Sequence, residues 1–62
     1  MDKPVCKLTG VDGNVFVIIG KVSGTLRRAG LPDQAKEFAE KAMGSGSYDE
    51  VLRLCFEYVE VE

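Results

Sequence analysis

No histidine or tryptophan occurs in the 62 residues, and proline and cysteine occur twice each. The missing histidine removes the side chain that most often serves as general base, metal ligand and activator of a serine or cysteine nucleophile. Two cysteines, Cys6 and Cys55, are too few to staple a secreted chain of this length with several bridges. Their wide separation matches neither a zinc knuckle nor a redox CxxC pair. The longest apolar run, Val15 to Ile19, falls far below the roughly 20 residues that span a bilayer. Met1-Asp2-Lys3-Pro4 lacks the apolar stretch of a signal peptide. Excess charge is scarce as well. A net charge of −2 is too small for a nucleic-acid mimic and offers no general attraction for phosphate backbones or anionic lipid. These absences lead us to expect a cytoplasmic protein without membrane association, its thiols reduced and buried as small hydrophobes. A Cys6–Cys55 bridge stays open as the alternative, provided the two positions pack as neighbours.

What is present suits a folded chain. A hydrophobic fraction of 45% with 29% charged residues is ordinary for a globular protein and wrong for a disordered one. We expect residues 1–62 to form one domain that buries only about 60% of the surface its unfolded chain exposes. Val5-Cys6-Lys7-Leu8-Thr9 alternates, with Val5 and Lys7 on one side and Cys6 and Leu8 on the other, as in a short strand. Gly10 ends it and Asp12-Gly13 turns the chain.

Residues 14–30 read best as a helix from cap to cap. Asn14 is a strong N-cap. Val15, Ile18, Ile19, Val22, Leu26 and Ala29 share one face, opposed by Gly20, Lys21, Gly24, Arg27 and Arg28, with Val17 out of place. Arg27 and Arg28 complement the helix C-terminus, and Gly30 supplies a left-handed stop. The competing strand over Val15 to Ile19 lacks alternation. Gly20 and Gly24, one turn apart, suit either a tolerant solvent face or a close backbone approach.

Pro32 at a first helical position and Asp33 beside it open a second helix. Its apolar side is Ala35, Phe38, Ala39, Ala42 and Met43, and Glu37–Lys41 forms an i,i+4 pair on its wet side. Gly44-Ser45-Gly46 ends it. Ser47-Tyr48-Asp49-Glu50 is a capping box, with Glu50 expected to reach back to the Ser47 amide. The third helix should turn Tyr48, Val51, Leu52, Cys55 and Phe56 inward, and from Glu57 the alternation of Val59 and Val61 with Glu60 and Glu62 reads as a strand. Two lone terminal strands need each other. The predicted fold is therefore α+β, a β-α-α-α-β chain whose terminal segments form a two-stranded sheet on three helices, with antiparallel pairing expected.

Motifs for chemistry fail on spacing. A phosphate loop needs glycine where Val15 stands, and Ser23 comes one place late for its hydroxyl. A calcium loop needs an acidic ligand at Gly10 and a glutamate at Ile19. We expect no enzyme, cofactor, metal or small-molecule substrate. The favoured reading is a protein-interaction module, binding a protein partner or itself, with Lys21, Arg27, Arg28, Val17 and Tyr58 as candidate surface and the terminal sheet edge as a second place to look. The rival is a weak nucleic-acid-binding accessory protein using the basic face of the first helix. Asp33, Glu37 and Glu40 on the following helix argue against it, because they suit a groove poorly.

Gly10-Val11-Asp12-Gly13-Asn14, Phe16, Gly20-Lys21-Val22 and Leu26-Arg27-Arg28-Ala29-Gly30, followed by Ser45-Gly46-Ser47-Tyr48-Asp49 and the terminal Tyr58-Val59-Glu60-Val61-Glu62, resemble a family of short uncharacterised bacterial proteins found in genomes and mobile elements. The resemblance covers nearly the whole chain. It implies a compact bacterial cytoplasmic protein and no activity.

Overall fold

The computed structural model describes residues 3–8 and 13–62. Thr9 and Asp12, placed above in a strand and a turn, lie outside them. The elements are β1 (Val5–Cys6), α1 (Val15–Arg28), α2 (Pro32–Met43), α3 (Tyr48–Tyr58) and β2 (Glu60–Val61), an α+β arrangement with a terminal two-stranded sheet on three helices.

Local chemistry sets the helix ends. Asn14 Oδ1 accepts from the Phe16 amide at 2.8 Å, which fixes the start of α1. At the other end Gly30 has φ +80, and its amide donates to the Arg27 carbonyl while that of Leu31 donates to Leu26. This double bond pattern is a Schellman stop, and only glycine takes its left-handed residue without strain. Pro32 enters α2 where no helical amide is needed. Ser47 Oγ accepts from the Glu50 amide at 3.2 Å, as expected of an N-cap. Glu50 returns to the Gly46 amide at 2.9 Å rather than to that of Ser47. The expected reciprocal box is therefore displaced by one residue.

The core takes Ile18, Ile19, Val22 and Leu26 from α1, Ala35, Phe38 and Ala42 from α2, and Val51, Cys55 and Tyr58 from α3, closed by Cys6 and Val59. Two alanines flank Phe38 on the buried face of α2, so its neighbours approach closely around that one ring. Phe38 meets Tyr58 edge-on, with centroids 5.5 Å apart. Ala29, expected on the apolar face of α1, is exposed, and Ser23 and Thr25 are buried there instead.

Helix α3 runs to Tyr58, so the alternation from Glu57 marks a strand only over Glu60–Val61. The strands pair in parallel, Val5 with Glu60 and Cys6 with Val61, which corrects the antiparallel expectation. Parallel strands need a long crossover connection, and here the whole three-helix body serves as one. The ladder extends beyond them through Glu60 N–H to Pro4, Glu62 N–H to Cys6 and Leu8 N–H to Glu62. Lys3 Nζ donates to the Phe56 carbonyl at 2.7 Å, placing a cation at the C-terminal end of α3, whose own last turn has no basic residue.

Candidate functional site

Three helix ends converge on one side of the molecule: the start of α1, the end of α2 and the start of α3. Between them lies an open groove of about 420 Å³ whose lining includes Phe16, Ile19, Met43, Ser47, Tyr48 and Val51. Phe16 is 64% exposed, Met43 63% and Tyr48 43%. Each sits where a cap fixes it. Phe16 follows the Asn14 cap, Met43 ends α2, and Tyr48 follows the Ser47 cap. The serine hydroxyls on the groove are already engaged, Ser45 Oγ with the Lys41 carbonyl and Ser47 Oγ with the Glu50 amide. The wall therefore offers chiefly apolar contact, and methionine and aromatic side chains give it an adaptable lining.

Met43, Tyr48 and Phe56 were all expected inward and are instead exposed, Phe56 by 59%. Each lies at the margin of its helix's apolar face, where position around the axis does not decide whether a neighbouring element covers it. The useful signal was an excess of large apolar side chains over what so short a chain can enclose.

The predicted surface residues do not gather. Lys21, Arg27 and Arg28 are all exposed on α1. At about 3.6 residues per turn Lys21 aligns with Arg28, whereas Arg27 lies about 120° away around the axis from Lys21. Arg28 leans back on Thr25, with Nη2 3.5 Å from its Oγ1. Val17 is exposed as expected. Gly20 and Lys21 fall within helix α1, and a Cβ at Gly20 would meet nothing within 4 Å, which fits the solvent-face reading. Strands of two residues leave little sheet edge to pair with.

Tyr58 needs correction. Only 8% exposed, it belongs to the core. Its hydroxyl donates to Glu37 Oε1, and Lys41 Nζ lies 5.9 Å from its ring centroid and 3.7 Å from Glu37 Oε1. The Tyr58 hydrogen bond, with Lys41 beside it, holds the Glu37 carboxyl below the usual glutamate range. Burial, reinforced by Glu37, pushes the Tyr58 hydroxyl up. The expectation that Tyr58 belongs to an exposed interaction surface overlooked this polar anchor.

Cys6 and Cys55 are both free and buried, as the hydrophobe reading expected. Burial and then the neighbouring Cys6 raise the Cys55 thiol to about 11, so at neutral pH it is a protonated, unreactive group. Among the described residues no group of three or more histidine, cysteine, aspartate or glutamate side chains could hold a metal ion. None of their helices is long and apolar enough to cross a membrane.

No protein family profile, curated protein or solved structure matches the chain.

Proposed function

We propose that this protein is a non-catalytic interaction module of the bacterial cytoplasm that binds another protein through the Phe16–Met43–Tyr48 groove. One observation carries the reading: three large apolar side chains, each at a capped helix end, stand exposed around one groove. Isolated exposed hydrophobes are normal on any surface. A cluster lining a concavity is the form that protein-recognition sites take. Aromatic side chains give large contact for little conformational freedom lost, and methionine adapts its shape to the surface it meets. The resemblance to short bacterial proteins and the sparse, reduced cysteines support the compartment.

The test compares two surface variants. Phe16→Asp with Met43→Asp should lose partner capture from the host lysate by roughly the 30-fold or more expected of an interface anchor. Lys21→Glu with Arg28→Glu should leave it unchanged. If the acidic groove variant retains all binding, the reading fails. Salt-sensitive oligonucleotide binding abolished by the basic-face variant would replace it with the nucleic-acid reading.

A further inference from the structure

We propose that residues 3–8 are a releasable strap, seated by backbone bonds and opposite charge, which lifts off as one unit while the three-helix body stays folded. Lifting uncovers Cys6 and the edge of β2. The inference stands apart from the groove reading and draws on the other elements of the fold.

The strap is anchored lightly. Cys6 is its one buried side chain, Pro4 and Leu8 are half-buried, and Lys3, Val5 and Lys7 are exposed. Glu60 N–H donates to the Pro4 carbonyl at 2.9 Å, Glu62 N–H to that of Cys6 at 3.0 Å, and Leu8 N–H to that of Glu62 at 2.7 Å. The body keeps nearly all of the core without it. Phe38, Leu26 and Val22, the largest fully buried side chains, all belong to helices. Strand β1 rests on α1 and β2, and no Cα of β1 comes within 8 Å of one in α3. The packing of α3 on its fellow helices therefore does not run through the strap. The same spacing excludes a Cys6–Cys55 disulfide, which needs Cα atoms within about 7 Å. The strap has no covalent lock. A segment with so little buried contact opens at less cost than the whole fold.

Charge says what seats it. The strap carries Lys3 and Lys7 and no acid, whereas residues 57–62 carry Glu57, Glu60 and Glu62 and no base. The parallel register sets Val5 level with Glu60 and Cys6 with Val61. One residue on, Lys7 comes level with Glu62, and both are exposed. At the other end Lys3, bonded to the Phe56 carbonyl, shares a shallow cleft with Glu57. A cation thus stands at each end of the strap against an acidic strip. An unpaired strand edge accepts another extended chain. The seated strap blocks that pairing, which makes it an intramolecular cover for β2.

Thiol labelling of the whole native chain, with Cys6 resolved from Cys55 by peptide mapping, provides the test. Cys6 should label through an opening at least about 10-fold more populated than global unfolding and nearly indifferent to dilute urea. The amides of Leu8, Glu60 and Glu62 should exchange hydrogen through the same opening, while those in the middle of α1 await global unfolding. Lys7→Glu should speed Cys6 labelling about 3–10-fold, scaled to the denatured variant, because it sets like charges along the ladder. Adding Glu62→Lys should restore most of the loss. Lys3→Met, which removes the ammonium bond to Phe56, should speed labelling about 3-fold. Circular dichroism of each variant confirms that the helices are intact. Cys6 labelling that follows urea as global unfolding does overturns the proposal, as does simultaneous exchange of the β2 and α1 amides. A labelling rate unmoved by Lys7→Glu and by Lys3→Met overturns it as well.

Discussion

Tyr58, in the last turn of α3, donates its hydroxyl hydrogen bond to Glu37 on the exposed side of α2, with Lys41 alongside both. A core ring is thereby tied to a surface ion pair. The Glu37 carboxyl titrates below its ordinary 4.5, first because of Tyr58 and then because of Lys41. A depressed folded value means stability that is present above the unfolded value and is lost as pH falls through the folded one. We expect acid unfolding to include a component below pH 4.5 that Tyr58→Phe reduces, with Lys41 preserving the remainder. Thermal melts of both proteins between neutral and acid pH check this. Parallel acid-limb curves would show that the hydrogen bond does not govern this component.

Cys55 predicts an alkaline limit. Burial, with Cys6 nearby, lifts its thiol from 9.0 to about 11. A raised folded value contributes stability that is full below the unfolded value and is lost as pH rises through the folded one. Stability should therefore fall between pH 9 and about 11, and Cys55→Ala should remove that part of the loss. At neutral pH the same variant costs about 1–2 kcal/mol, from the space the sulfur leaves. Denaturant melts across this range, with thiol labelling of the folded wild type, measure both. Labelling at the rate of a free thiol at pH 7 would contradict the buried placement.

Ser23 is a local misfit. It is buried in α1, and its Oγ has no hydrogen-bond partner among the described residues. Alanine removes the unsatisfied hydroxyl and favours the helix, so Ser23→Ala should stabilise by about 0.5–1.5 kcal/mol. Urea unfolding measures the gain, and a destabilised variant would mean that the hydroxyl finds a partner in solution.

Much of the fold was written locally. Asn14, Pro32 and Ser47 open the helices and Gly30 closes the first, because capping depends on backbone groups within a few residues of each cap. Strand direction was not local. It follows from how the three-helix crossover brings Glu60–Val61 back beside Val5–Cys6. The candidate site was hidden for the same reason. Periodicity places Tyr48 on the rim of α3 and Met43 on the rim of α2, but only their packing leaves both rims uncovered around Phe16. Tyr58 failed in the opposite sense, since its burial depends on Phe38 beneath its ring and Glu37 at its hydroxyl.

The distinction between rim and core has a direct energetic test. Met43, Phe56 and Phe38 are all large apolar helix residues, yet Phe38 is fully buried and the other two are mostly exposed. Removing the Phe38 ring empties the centre of the core and should cost about 3–5 kcal/mol as Phe38→Ala. Met43→Ser and Phe56→Ser lose little enclosed contact and should each lie within about 0.5–1 kcal/mol of the wild type in urea unfolding. Equal costs for Phe38 and Phe56 would place Phe56 in the core and remove it from the surface.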